Sequence, residues 1–80
     1  MDNISQQRFV EQFGSNLKIA LEESGMTLSE LSIDTGLSMT TLSNYVNGTQ
    51  MPSLKAFVNI MCAIGVEPEE LVEFNRRVVK

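Results

Sequence analysis

The sequence predicts an all-α fold of five helices, and three observations carry that expectation. Apolar residues recur at three- and four-residue steps rather than in the alternation of a strand. Glycines stand at nearly even intervals, at 14, 25, 36, 48 and 65, and all but the first follow a candidate helix, where glycine ends the coil at little steric cost. Serine or threonine precedes several of the periodic stretches, the place from which a side-chain oxygen satisfies the free N–H groups of a helix start. No strand signal, internal repeat or low-complexity segment accompanies them.

Taken in order, Phe9, Phe13, Leu17, Ala20 and Leu21 form one amphipathic stripe between Ser5 and Ser24, closed by Gly25. Gly14 interrupts that stripe, at about 1 kcal/mol relative to alanine. Thr27-Leu28-Ser29-Glu30 then has the form of a capping box, in which hydroxyl and carboxylate satisfy each other's backbone N–H groups. The helix it opens must be short, because Gly36 follows; Leu31 and the small Ser32 are expected to face inward. Ser38 caps a third helix, Met39 to about Val46, with Leu42 and Tyr45 buried and Asn47-Gly48 as its stop. After the polar Thr49-Gln50-Met51-Pro52, Ser53 caps a fourth, whose Leu54, Phe57, Val58, Met61 and Ile64 form an apolar stripe ending at Gly65. Cys62, inside this run, is expected to be a small buried residue. Glu67-Pro68-Glu69-Glu70 starts a fifth helix, since proline is tolerated and acids are favoured in a first turn. Leu71, Phe74 and Val78 carry its stripe toward the end.

Composition narrows the function. The 80 residues suit one domain, 1–80, and apolar residues at 42% against charged residues at 20% describe a chain that folds. With no histidine and a single cysteine there is no metal cluster of the usual spacing, no Ser-His or Cys-His pair, and the scattered glycines form no phosphate-binding loop. The expectation is therefore a protein that is not an enzyme and uses no cofactor or metal. Its apolar runs are too short to span a membrane, its acidic start is no signal peptide, and its lone cysteine suits a cytoplasmic address.

The second and third helices carry the functional information. Each is about two turns long, too short to persist alone. Joined through Thr35-Gly36-Leu37-Ser38, they must cross steeply and be held by longer neighbours, which is the geometry of a helix-turn-helix. Gly36 permits the turn, Leu37 plugs the space between the helices, and Ser38 caps the third. Beyond the turn, Leu17, Leu21, Gly25-Met26-Thr27, Glu30-Leu31, Gly36-Leu37-Ser38, Thr41-Leu42-Ser43, Asn47-Gly48, Pro52-Ser53-Leu54, Ala63-Ile64-Gly65-Val66 and Leu71 fall in a recognisable order and spacing. In these residues the chain resembles the lambda-repressor and Cro-type (XRE-like) helix-turn-helix DNA-binding family, over a core of about 13–71 with the motif at about 27–47.

That resemblance implies a five-helix, repressor-like domain that binds a double-stranded DNA operator, commonly as a homodimer, and regulates phage or bacterial transcription. Carried over by position, it places base reading on Ser38, Met39, Thr40, Thr41, Ser43 and Asn44, with the helix 39–46 in the major groove. It places phosphate contacts near Thr27, Ser38, Asn47, Thr49 and Gln50. The chemistry agrees: asparagine can pair with adenine, threonine with base edges, and methyl groups with thymine. Thr27, Ser38 and Asn47 have capping or terminating roles in any case, whereas an exposed reading face is the only evident use of Thr40 and Asn44.

Two departures favour a different partner. Gly25 to Gln50 contains no lysine or arginine but does contain Glu30 and Asp34, in a chain of net charge −4. Phosphate neutralisation supplies most DNA affinity, so binding should be weaker, with a shallower salt slope. The six bases lie elsewhere, Arg8 among them: Lys18 and Lys55 are placed to reach flanking phosphates, and Arg76, Arg77 and Lys80 form a tail. Leu28 replaces a glutamine frequent in the family, and Met39 a polar or basic residue. Together they predict a small exposed apolar patch and, as the alternative, a helix-turn-helix used for protein–protein interaction. Outside the family core, Phe9, Val10, Phe13, Phe74, Val78 and Val79 either enlarge one core or form a two-fold subunit contact.

Overall fold

The computed structural model describes residues 3–73, with side chains from Gln6 onward. Within them the chain forms α1 (Asn3–Ser24), α2 (Leu28–Thr35), α3 (Met39–Val46), α4 (Leu54–Ile64) and α5 (Pro68–Val72). The expected elements are therefore present, and each cap is visible as a hydrogen bond. The Thr27, Ser38 and Ser53 hydroxyls accept the backbone N–H of Glu30, Thr41 and Ala56 at 3.1, 3.0 and 3.0 Å.

Helix α1 is the spine. Its inner face supplies Phe13, Leu17, Ala20 and Leu21 to a core completed by Leu31, Leu42, Tyr45, Ala56, Ile60 and Leu71. It packs chiefly against α3 and α5 and also touches α4, while α2 packs against α3 and α4. The Phe13 ring centres this core, 6.1 Å from Tyr45 in an edge-to-face pair and 5.9 Å from Phe57. Phe9 is half-buried and stacks on it at 6.4 Å. Phe13 is thus buried within its own chain and has no surface left for a subunit contact. Phe74, Val78, Val79 and the Arg76-Arg77-Lys80 tail lie outside the described residues.

The buried face of α1 is wider than its apolar stripe. Gln12, Ser15 and Asn16 are also buried. The Gln12 amide donates to Asn16 Oδ1 at 3.0 Å, and Asn16 Nδ2 donates to the Glu73 carbonyl at 3.1 Å. The α5 helix itself stops at Val72, and Glu73 is extended at φ −70°, ψ 124°. The expected stripe through Phe74 and Val78 lies outside the described residues; within them the chain leaves the helix at Glu73, whose carbonyl Asn16 captures.

Gly14 counts against α1 on propensity alone, and packing supplies the reason for its presence. An added Cβ would run into the carbonyl oxygen of Tyr45 and lie 2.7 Å from that of Val46. The last turn of α3 rests directly on the α1 backbone at this glycine.

In α4 the expected facing is partly wrong. Ala56 and Ile60 are buried and Phe57, Met61 and Ile64 pack on the core, but Leu54 and Val58 are 79% and 42% exposed. Cys62 is exposed too, against the expectation of burial. At about 100° per residue, positions 54, 58 and 62 lie on one line roughly opposite 56 and 60. A helix apolar on nearly every side has no periodicity from which to read its inner face. Among the described residues, no helix is long and apolar enough to cross a membrane.

Candidate nucleic-acid interface

The turn between α2 and α3 is held by side-chain hydrogen bonds as well as by glycine. Gly36 adopts φ 77°, ψ 6°, a left-handed conformation open to glycine and costly for other residues, and its N–H donates to the Ser32 carbonyl at 2.9 Å. Ser32 Oγ donates to the Leu37 carbonyl at 2.6 Å. Thr35 Oγ1 donates to the Leu31 carbonyl at 2.7 Å and accepts the Leu37 N–H at 3.2 Å. Leu37 packs half-buried against the core, as its plugging role requires. Ser32 and Thr35 thus fix the angle at which α3 leaves the body.

Helix α3 divides cleanly. Leu42 and Tyr45 are buried beneath it, whereas Met39 and Thr40 are exposed and Ser43 and Asn44 half-buried on its outer side. With Leu28 these four residues line an open groove of about 390 Å³. Leu28 is not simply exposed: it is half-buried, packed on the core at its base and lining the groove above. Leu28 and Met39 therefore share one groove, as their positions predicted.

None of the ten residues singled out from the sequence is buried, but they are not equivalent. Thr27 is committed within its capping box: its N–H and hydroxyl both donate to Glu30 Oε1, at 2.9 and 3.1 Å. Ser38 accepts the Thr41 N–H and donates to Thr41 Oγ1 at 2.9 Å, so Thr41 faces its own cap more than the groove. Asn47 donates to Ser43 Oγ at 3.5 Å. At the far end of α3, the Asn44 carbonyl accepts the N–H and hydroxyl of Thr49 at 3.0 and 3.2 Å. Asn44 Nδ2 donates to Gln50 Oε1 at 3.1 Å. Asn44 is expected at bases and Gln50 at phosphates; their coupling has no sequence signal, because five residues and a turn lie between them.

Glu30 also sets a pH response. The Thr27 backbone N–H, and secondarily its hydroxyl, hold the Glu30 carboxyl below its ordinary value against a small opposing desolvation. With the folded value depressed, its contribution is fully present above the unfolded value and is lost as pH falls through the folded one. Acidification through that range should fray the first turn of α2, read as movement of the Thr27 amide resonance. Glu30→Gln should remove this step from the acid titration. An unchanged titration would show that Glu30 is not its source.

No group of three or more His, Cys, Asp or Glu among the described residues could hold a metal. What the surface offers is neutral hydroxyl, amide and methyl groups on a rod seated by its opposite face. That arrangement defines a class, the helix-turn-helix domains. The family model described as Helix-turn-helix matches residues 17–71, and the chain belongs to that family, of the lambda-repressor and Cro (XRE) type. By class it is a DNA-binding transcription regulator. Among solved structures it is similar to the restriction-modification controller protein C.AhdI from Aeromonas hydrophila, at 24% identity and a TM-score of 0.73, covering 78% of this chain and 94% of that one. This likeness shows the shared fold. No curated protein matches the chain.

Proposed function

We propose that the protein reads a specific operator in the DNA major groove with α3, as a two-fold dimer. The observation that carries this reading is the division of α3. Its inner face is locked by Leu42 and Tyr45, and its outer face presents Met39, Thr40, Ser43 and Asn44 without a covering element among the described residues. Thr40 and Asn44 are the base readers and Ser43 a supporting donor. Ser38 and Thr41 shape the start of α3; Thr27, Asn47, Thr49 and Gln50 flank it where the backbone would run. With Gly25 to Gln50 devoid of lysine and arginine, affinity rests on neutral donors and helix N-termini, with Lys18 and Lys55 reaching flanking phosphates.

The test is selection from a random duplex library at low salt, repeated at higher salt. An enriched two-fold motif, losing affinity only gradually with salt, is expected. Flat recovery at both salts would overturn the reading. On the enriched site, Asn44→Ala should cost roughly 1–3 kcal/mol and relax preference at one base position per half-site. A footprint and affinity equal to wild type would remove Asn44 from that role.

A further inference from the structure

We propose that the base pairs addressed by α3 are A·T pairs, and that the 5-methyl group of a thymine seats in the groove between Leu28 and Met39. The inference rests on major-groove reading by α3 and names the bases that such reading selects. Three observations converge on it.

The first is what α3 lacks. Direct recognition of guanine most often uses arginine or lysine on O6 and N7, and cytosine is read by a carboxylate on N4. Met39–Val46 contains no arginine, lysine, aspartate or glutamate. On α2, Glu30 is already engaged by Thr27. Thr40 and Ser43 hydroxyls read either kind of pair and impose no choice.

The second is how Asn44 is held. A carboxamide has two N–H donors and one carbonyl acceptor. One donor is given to Gln50 Oε1 at 3.1 Å, which orients the group. With Gln50 on the N–H that points away from Oδ1, the other N–H and the Oδ1 form the pair that matches N7 and the N6 amino group of adenine. Gln50 is a positioning residue in this arrangement.

The third is what shares the groove with Asn44. Asn44 and the apolar pair Leu28 and Met39 line the same groove, and Met39 is 47% exposed there. The 5-methyl group of thymine is the apolar feature of an unmodified major-groove edge, and it lies in the same edge as the groups that asparagine reads. A thioether side chain adapts readily to such a small apolar group. An uncharged groove lined by an amide and two apolar side chains is complementary to adenine and thymine edges laid side by side.

The experiment begins from the selected operator and the full chain. Asn44→Ala first marks one base position per half-site, and that pair with its immediate neighbours is the stretch that α3 addresses. Each thymine there is then replaced singly by deoxyuridine, which removes the methyl and leaves the pairing edge unchanged. One position per half-site should lose about fourfold in affinity for wild type, the value of one buried methyl-sized group. Met39→Ala and, separately, Leu28→Ala should bind the thymine and uracil sites alike. Because the uracil comparison uses wild-type protein, it stands even where Leu28→Ala folds poorly. Guanine or cytosine at the marked positions, or indifference to every uracil, would overturn this inference and leave operator reading intact. Failure to enrich any duplex would overturn operator reading itself, and this inference with it.

Discussion

Gly14→Ala should destabilise the chain by about 3 kcal/mol, although alanine is the better helix former. On propensity alone the substitution would gain about 1 kcal/mol. The new methyl group, however, would be driven into the Tyr45 carbonyl and to 2.7 Å from the Val46 carbonyl. Both obstacles are backbone, so no side chain can rotate away; α1 and α3 must separate. Separation opens the contacts of Phe13 with Tyr45 and lifts the inner face of α3. A urea melt of the variant beside wild type measures the effect directly. A gain in stability would mean that the two helices pass each other more freely than their contact indicates. The same displacement shifts α3 relative to α2, so operator affinity should fall by more than the unfolded fraction explains.

Phe13→Ala is expected to cost more, roughly 3–5 kcal/mol, from lost burial plus the cavity left behind. The ring has no exposure and meets Phe9, Tyr45 and Phe57, which come from both ends of the chain's core. Small domains have total stabilities of about 5–15 kcal/mol, so this one residue accounts for a large share. Loss of a cooperative thermal transition, with residual helical signal, is the expected observation. Phe9→Ala should cost clearly less, since that ring is only half-buried. Equal losses at the two positions would show that the stack, rather than the buried site beneath it, holds α1 to α3.

Much of the fold was legible because its local signals agree with one another. The capping box at Thr27, the serines at 38 and 53, and the glycines after the first four helices are chemistry of neighbouring residues. Such chemistry marks where a helix can begin and end before any packing exists. Leu42 and Tyr45 were identified as the inner face of α3 for the same reason: an eight-residue helix with a polar outer face has a single plausible way to lie. The α4 helix shows the limit. With apolar side chains around most of its circumference, the inner face could be chosen only by neighbours, and they selected Ala56 and Ile60 over Leu54, Val58 and Cys62. A buried amide gives no hydrophobic signal, so Gln12 and Asn16 have none in the sequence, and the Glu73 carbonyl that Asn16 holds is far away along the chain.

The candidate site divides in the same way. Met39, Thr40, Ser43 and Asn44 could be placed on one side of α3 from helical spacing. Leu28 could be placed near Met39 from the turn between the helices. The groove that these five residues share, and the bond that aims Asn44 through Gln50, depend on the angle between α2 and α3 and on the return of the chain past Asn47.

The amino-acid order by itself determined the five helices, the stops of the first four and the family to which the chain belongs, because caps, stops and apolar spacing act between residues a few positions apart. Only the tertiary structure decided that Gly14 is a contact point, that Leu54, Val58 and Cys62 of α4 face outward, and that Leu28 serves both core and groove. Those outcomes follow from close approach between segments distant in the chain, where excluded volume and hydrogen-bond partners leave no local trace.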